Sequence, residues 1–255
     1  MKKIIALALA LIMMLSLCTC GGKDTSLADV QKAGKLVIAT SPDFPPIDSL
    51  GEGNVVEGIE IDILNAICAE LGVELVIEQM DFDSVLPGVQ AGKYDVGVSG
   101  ITVTEDRLEN ADFSSTYFLA SQAIVVMPGS PITCKADLEG KTVSVQTGTT
   151  AEEYCMEEGY AVLAFQAYND AASALTTGKV DAWVVDNEVA LAFAADLGLV
   201  VLDEAMTSEP YAFAFEKGSA SLVEAFNKVL DAMIADGSVQ AIFDKWGVVY
   251  VSPIG

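Results

Sequence analysis

The chain has 255 residues, of which 37 are Asp or Glu, 13 are Lys or Arg and none is His, so its net charge is −24 at pH 7. Such an acidic chain repels nucleic acid and anionic lipid surfaces. The lack of histidine excludes Ser-His-Asp triads and histidine-ligated metals, and we expect no cofactor. The length fits two lobes of about a hundred residues each.

The N-terminus has the pattern of a secretory signal peptide. Two lysines precede an unbroken apolar run over residues 4–15, and such a run is too short to span a bilayer comfortably. The sequence LCTC at residues 17–20 resembles the bacterial lipoprotein box, with Cys20 as the lipidated residue and Cys18 as the alternative. We therefore expect a lipoprotein that is anchored to the cell membrane on its outer side.

Short apolar strands alternate with helical patterns after this segment. A strand over residues 35–40 precedes a helix over 61–71, which Gly72 ends. A strand, a helix and a strand follow at residues 74–78, 85–91 and 94–99. This βαβαβ order predicts an open α/β sheet with ligand sites at the carboxyl ends of its strands.

The α/β pattern then restarts, which predicts a second lobe. Its strands are expected at 122–127, 142–146 and 182–185, and its helices at 150–158 and 170–177. A strand over 211–215 returns the chain, and helices over 222–236 and 239–246 rejoin the first lobe. The fold class is therefore α/β, two lobes on a two-stranded hinge with the ligand in the cleft between them. We divide the chain into a signal peptide (1–19), a tether (20–26), lobe 1 (27–121 and 216–255) and lobe 2 (122–215).

The remaining cysteines carry no clear chemistry. Cys68, Cys134 and Cys155 are odd in number, so they predict no disulfide framework, and their spacing matches no metal motif. Pairing of Cys134 with Cys155 is left open.

A series of motifs resembles a known family in content and order. They are ATSPDFPP (39–46), GIEID (58–62), LPGVQAGKYD (86–95), SGITVTEDR (99–107), LEGK (138–141), QTGTTAE (146–152), GKVDA (178–182) and KWG (245–247). The chain is similar to the polar amino-acid, or family 3, extracellular solute-binding proteins of bacterial ABC transporters, which have the periplasmic binding protein type 2 fold. The resemblance implies a monomer that captures a free amino acid by hinge closure, without catalysis, and passes it to permease subunits.

The resemblance assigns Arg107 to the α-carboxylate of the ligand. A planar guanidinium holds a carboxylate through two parallel charge-assisted hydrogen bonds. From charge spacing alone, the alternative is a surface ion pair with Glu105 or Asp106.

The other expected contacts follow from the same resemblance. In the first lobe, Gly100 and Thr102 belong to the amino-acid backbone site and Ser99 lies beside them, with an ordinary turn as the alternative. Gly100 stands where many relatives have Ser, so a hydroxyl contact is lost there. Phe44 and Phe82 match aromatic walls around the ligand side chain, although single Phe residues are more often core.

The second lobe is expected to complete the site. Thr149 and Thr150 open a helix whose free amides favour an anion, and a plain N-cap is compatible with this interpretation. Asp186 ends a strand and matches the family's partner for the α-ammonium, with a helix N-cap as the alternative.

The sequence leaves alternatives open for the identity of the ligand and for the class of protein. Ser41 stands where several relatives have an acidic residue, for which Asp43 and Asp48 are candidate replacements. No Lys or Arg is expected near the ligand side chain, which disfavours glutamate and favours a polar or basic amino acid. The alternatives are a cyclohexadienyl dehydratase-like enzyme on the same fold and a ligand-sensing lipoprotein.

Overall fold

The computed structural model describes residues 24–253. Cys20, the expected lipidation site, and the predicted signal peptide lie outside the described residues. No helix within 24–253 is long and apolar enough to cross a membrane.

Two five-stranded sheets form the frame of the molecule. The first has the strand order β5-β1-β6-β15-β7, and its strands are β1 (Lys35–Thr40), β5 (Glu74–Gln79), β6 (Val96–Gly97), β7 (Ala111–Phe113) and β15 (Ala214–Glu216). The second has the order β11-β10-β12-β9-β13, and its strands are β9 (Gln122–Val126), β10 (Thr142–Gln146), β11 (Ala161–Phe165), β12 (Ala182–Asp186) and β13 (Val200–Val201). In each sheet three strands are parallel, β5-β1-β6 and β11-β10-β12, which places their carboxyl ends at a common edge.

Helices cover both sheets. They are α1 (Ser26–Ala33), α2 (Ile59–Leu71), α3 (Phe82–Gln90), α4 (Glu105–Asn110), α5 (Thr150–Glu157), α6 (Tyr168–Thr176), α7 (Asn187–Leu197), α8 (Ala220–Ala235) and α9 (Ser238–Lys245). Short 3-10 turns occur at Glu52–Asn54 and Lys135–Leu138. The α2 helix ends as predicted, because Gly72 takes up the left-handed backbone conformation with φ 69°.

Two small sheets lie outside the frame. β2 (Asp43–Phe44), β3 (Asp48–Leu50) and β4 (Val56–Glu57) form one. β8 (Phe118–Ala120) and β14 (Glu209–Tyr211) pair antiparallel between the two large sheets, with Phe118 opposite Tyr211 and Ala120 opposite Glu209. The chain therefore passes between the sheets through two adjacent strands, which is the arrangement expected of a hinge.

The predicted strand over 211–215 is wrong in one respect. The structure divides this segment, since Tyr211 pairs with Phe118 in the small sheet while Ala214 pairs with Phe113 in the first large sheet. The strand breaks because its two halves bond to different partners. The expected end of lobe 2 at residue 215 thus falls within β15.

Residues near both ends of the described segment bond to helices of the first sheet. Asp24 accepts hydrogen bonds from Ser26 and from the backbone of Ser221, so the end of the predicted tether is attached to α8. At the other end, the indole of Trp246 donates to Asp62 Oδ2 of α2 at 2.7 Å. The three cysteines at 68, 134 and 155 are free thiols.

Candidate ligand-binding site

The nine residues that the resemblance singled out line a single pocket between the two large sheets. A tenth residue, Tyr168, completes the wall, and the side chains meet so closely that the cavity between them is only about 10 Å³. The first sheet's side supplies Phe44, Phe82, Ser99, Gly100, Thr102 and Arg107, and the second sheet's side supplies Thr149, Thr150, Tyr168 and Asp186. The segments that follow β6 and β10 and the last residue of β12 thus meet where the topology predicts a ligand site.

Arg107 spans the pocket. Thr104 caps the short α4 helix by accepting from the backbone N–H of Arg107 at 3.2 Å, which fixes the start of the side chain. Its Nη1 donates to the carbonyl of Thr102 at 2.9 Å, and its Nη2 donates across the cleft to the carbonyl of Gly148 at 3.1 Å.

The guanidinium of Arg107 is not neutralised by an ion pair. The salt bridges within residues 24–253 join three lysines to carboxylates and do not include Arg107, so the alternative pair with Glu105 or Asp106 does not form. Burial lowers the pKa of Arg107, and the charges of Glu153 and Glu209 act in the opposite direction. A partly buried cation whose side-chain hydrogen bonds within residues 24–253 go to the carbonyls of Thr102 and Gly148 is a suitable partner for a ligand carboxylate.

Ser99 contributes its backbone to the pocket, because its hydroxyl is used in hydrogen bonds within the protein. The hydroxyl lies 2.9 Å from that of Thr40 and accepts from the backbone N–H of Ser41 at 2.8 Å, so it ties two loops together. Ser99 has φ 109°, a strained conformation for a residue with a side chain. Glu60 of α2 holds this turn, since its Oε2 accepts from the N–H groups of Ser99 and Gly100 at 2.9 and 3.1 Å.

A buried carboxyl cluster lies behind this turn. Glu60 Oε1 accepts from the hydroxyl of Tyr117 at 2.5 Å, and Asp48 Oδ2 accepts from that of Thr40 at 2.7 Å. Burial raises the pKa of Glu60, and burial together with the charge of Glu60 raises that of Asp48. Asp48 does not line the pocket, so its carboxylate does not take the place of an acidic residue at 41.

The residues around position 100 leave room only for glycine. Its φ is +58°, and a Cβ placed on it would overlap the Phe44 ring and lie 3.0 Å from the Tyr211 ring. The Phe44 ring therefore occupies the space that a serine side chain would need at position 100.

Aromatic rings from the two sides of the cleft meet at the pocket. Phe44 and Tyr168 are stacked, with ring centroids 5.5 Å apart and an interplanar angle of 22°. Both are nearly fully buried, whereas Phe82 at the start of α3 is half-buried. Sequence reasoning missed Tyr168 because it placed the start of α6 two residues later, at 170.

Thr149 and Thr150 begin α5 and use their hydroxyls within the protein. Thr149 Oγ1 accepts from the N–H of Glu152 at 3.3 Å and donates to the carbonyl of Gln146 at 2.7 Å. Thr150 Oγ1 donates to Glu209 Oε2 at 2.9 Å. The N-cap alternative therefore holds for Thr149, and the amides of this turn remain the groups that would face an anion.

Asp186 supplies a negative charge opposite Arg107. It precedes α7 at the N-cap position, but its side chain makes no capping hydrogen bond. Its Oδ1 accepts from Gln122 Nε2 at 2.9 Å. Burial, and the nearby charge of Glu209, raise its pKa well above the ordinary range. Such a carboxylate gains most from a cationic partner.

Gln122 and Glu209 form a layer directly behind the pocket wall. Gln122 Nε2 also donates to Thr150 Oγ1, at 3.3 Å, and Glu209 is buried beside the same hydroxyl. Sequence reasoning missed both, because neither lies in a motif and they come together only where β9 and β14 approach α5.

A family model for bacterial extracellular solute-binding proteins, family 3, matches residues 36–249. The chain belongs to this family. The family match confirms the predicted class and places the protein outside the cytoplasm.

Individual relatives agree with this result. The arginine-binding extracellular protein ArtP of Bacillus subtilis (strain 168) is 30% identical over 254 residues, which cover 96% of this chain and 98% of ArtP. An ancestral arginine-binding protein, solved with arginine bound, is 40% identical with a TM-score of 0.79, and the match covers 84% of this chain and 98% of that chain. An ancestral arginine-binding protein with glutamine bound is also 40% identical, with a TM-score of 0.79.

A further neighbour bears on the enzyme alternative. The ancestral amino acid-binding protein AncCDT-1, described as a precursor of cyclohexadienyl dehydratase, matches with a TM-score of 0.81 and 32% identity over 87% of this chain and 99% of that chain. The two-lobed α/β prediction is confirmed. The matched family is one of transport binding proteins, and the dehydratase alternative is not favoured.

Proposed function

We propose that this protein captures a free polar or basic amino acid, with L-arginine as the first candidate, and presents it to an ABC importer without altering it. The observation that carries the proposal is the pairing of charges across one pocket. Arg107 offers an unneutralised guanidinium, and Asp186 offers a buried carboxylate. The α-carboxylate and α-ammonium of an amino acid match these two groups.

The charge balance favours a basic side chain. A zwitterionic head group would pair with Arg107 and Asp186. Glu209, which is buried behind the pocket wall and hydrogen-bonded to Thr150, would then remain without a cationic partner. A buried charge without a partner is costly, so a second cation on the ligand would stabilise the complex. The relatives named for arginine are consistent with this choice.

The aromatic pair suits the same ligand. Phe44 and Tyr168 would cover the aliphatic stem of a long side chain, and an aromatic face also attracts a guanidinium. We infer that the two large sheets move as lobes about β8 and β14, and that closure brings these rings together in the wall beside the ligand.

A thermal-shift screen of the purified protein against the twenty amino acids tests the proposal. A ligand that binds only the folded state raises the melting temperature, and at a hundred times Kd it adds about 2.7 kcal/mol to the free energy of unfolding. We expect the largest shift with arginine, smaller shifts with other polar or basic amino acids, and none in Arg107→Ala. A screen with no shift for any amino acid contradicts amino-acid capture.

The membrane anchor is part of the proposal. We infer that Cys20 carries the lipid after removal of residues 1–19, since the sequence before it resembles a lipoprotein box. Cys20→Ser should release the protein from the membrane fraction, whereas the matched control Cys18→Ser should stay there. Membrane retention of the Cys20 variant together with release of the Cys18 variant would assign the lipid to Cys18.

A further inference from the structure

Asp43 makes hydrogen bonds across the cleft that the ligand site itself does not explain. It lies in β2, on the first sheet's side, and its Oδ2 accepts from Gln146 Nε2 at 3.0 Å and from the backbone N–H of Tyr168 at 2.9 Å. Both donors belong to the second sheet's side, at the end of β10 and the start of α6. Its Oδ1 accepts from Ser41 Oγ at 2.9 Å. Both carboxylate oxygens of Asp43 are therefore occupied by protein donors.

The position of Asp43 links it to the aromatic pair. Phe44 is the next residue in the chain, and Tyr168 donates its N–H to Asp43, so one carboxylate joins the two segments whose rings are stacked at 5.5 Å. Asp43 is absent from the pocket wall that Phe44 and Tyr168 share. Its hydrogen bonds to Gln146 and Tyr168 can form only when the two sides of the cleft are together.

We propose that Asp43 is a positioning residue: it seats Tyr168 against Phe44 when the cleft closes, and so sets ligand affinity without touching the ligand. This inference rests on the proposed function. It differs from the sequence-based idea that Asp43 replaces an acidic side-chain contact, because the carboxylate bonds to the opposite lobe instead of facing the pocket.

The expected effect is on release of the ligand. Asp43→Ala removes two charge-assisted bonds that hold the closed form, so dissociation of L-arginine should accelerate and the affinity fall by about ten- to a hundredfold. The association rate should not fall, because the ligand enters an open cleft and Asp43→Ala leaves the cleft open at least as often as wild type. A general loss of structure would not separate the two rates in this way.

Three further variants make the test specific. Asp43→Asn keeps one oxygen that can accept both bonds, so its affinity should lie between those of wild type and Asp43→Ala. A double-mutant cycle with Gln146→Ala should be non-additive, since both changes remove the same bond. Asp83→Ala is the matched control, because Asp83 accepts an exposed cross-cleft bond from Gln166 at 3.3 Å and its loss should change affinity less than about twofold.

Stopped-flow kinetics and calorimetric titration with L-arginine, on protein whose folding is checked by thermal melting, decide between the outcomes. If wild type binds L-arginine and the affinity of Asp43→Ala is within twofold of it, the inference is overturned. Additive effects of Asp43→Ala and Gln146→Ala in the double-mutant cycle would overturn it as well. If wild type binds no amino acid, the proposed function fails instead. Small-angle scattering then tests Asp43 alone, since Asp43→Ala should have a larger radius of gyration than wild type and equal radii contradict its role.

Discussion

Gly100 shows how one residue shapes the pocket at its first-lobe side. Any side chain there would overlap the Phe44 ring and would also have to adopt φ +58°. Gly100→Ala should therefore lower the free energy of unfolding by roughly 2–4 kcal/mol, about 1 from the backbone conformation and the rest from overpacking. It should also weaken arginine binding, since the Phe44 ring must move.

Gly198→Ala is the control for this prediction. Gly198 has φ +67° and no atom within 4 Å of an added Cβ, so only the backbone cost of about 1 kcal/mol applies. Chemical denaturation of both variants separates the two terms. Equal losses at positions 100 and 198 would mean that the contact with Phe44 has no energetic weight.

Asp186 predicts how binding depends on pH. Its pKa is raised in the free protein by burial and by Glu209, and a bound ammonium would lower it. Binding then releases a proton, so affinity should fall as the pH drops through the raised pKa of Asp186, by at most about tenfold per pH unit for this one group.

Titrations of arginine between pH 4.5 and 8 in buffers of different ionisation enthalpy measure this proton release. Asp186→Asn should bind more weakly and lose the proton release that Asp186 contributes. The same pH dependence in wild type and Asp186→Asn would exclude Asp186 as the ammonium partner.

At the scale of elements, the first turn of α7 carries an unfavourable charge. Glu188 is nearly fully buried, and its Oε2 has no hydrogen-bond partner within the described structure. Burial raises its pKa from 4.5 to about 7. The folded protein thus retains a proton that the unfolded chain has already released, so this group makes the protein less stable as pH rises from about 4.5 to about 7.

Glu188→Gln should remove this pH-dependent loss. The amide mimics the protonated acid, so the variant should be more stable than wild type above pH 7, by an amount on the order of 1–3 kcal/mol, and about equal to it near pH 4.5. Thermal melting across this range provides the measurement. Glu139→Gln, at an exposed glutamate, is the control. A wild-type-like stability profile in Glu188→Gln would show that Glu188 ionises freely in the folded state.

Elements with clear periodicity could be predicted from the sequence, and short ones could not. The strand at Lys35–Thr40 and the helix that ends at Gly72 follow from apolar spacing and a glycine stop. β2, β3 and β4 have two or three residues each, too few to show alternation. The division of the segment after Glu209 depends on which sheet each half joins, which no local pattern records.

At the scale of the whole molecule, the site is assembled by the meeting of two sheets. The motif resemblance brought out nine of the ten residues that line the pocket, because most of them lie in or beside a recognisable segment. It did not bring out Tyr168, Gln122 or Glu209. Their roles arise from contacts between residues 28 to 125 positions apart in the chain, such as Gln122 with Thr150 and Asp43 with Tyr168.

If the proposed function holds, the two-sided site means that neither lobe alone would hold the ligand well. Arg107 comes from the first sheet's side and Asp186 from the second, and each is left without an opposite charge in direct contact. A ligand that carries both charges would then stabilise the closed form, because only that form would let it pair with both groups.

Calorimetric titration of the purified protein with L-arginine and with agmatine, which is arginine without its carboxylate, tests this pairing most directly. We expect arginine to bind with a stoichiometry of one and agmatine to bind at least about a hundredfold more weakly, because Arg107 then has no partner. Equal affinities, or binding of agmatine alone, would contradict the assignment of Arg107 to the α-carboxylate and with it the proposed capture of an amino acid.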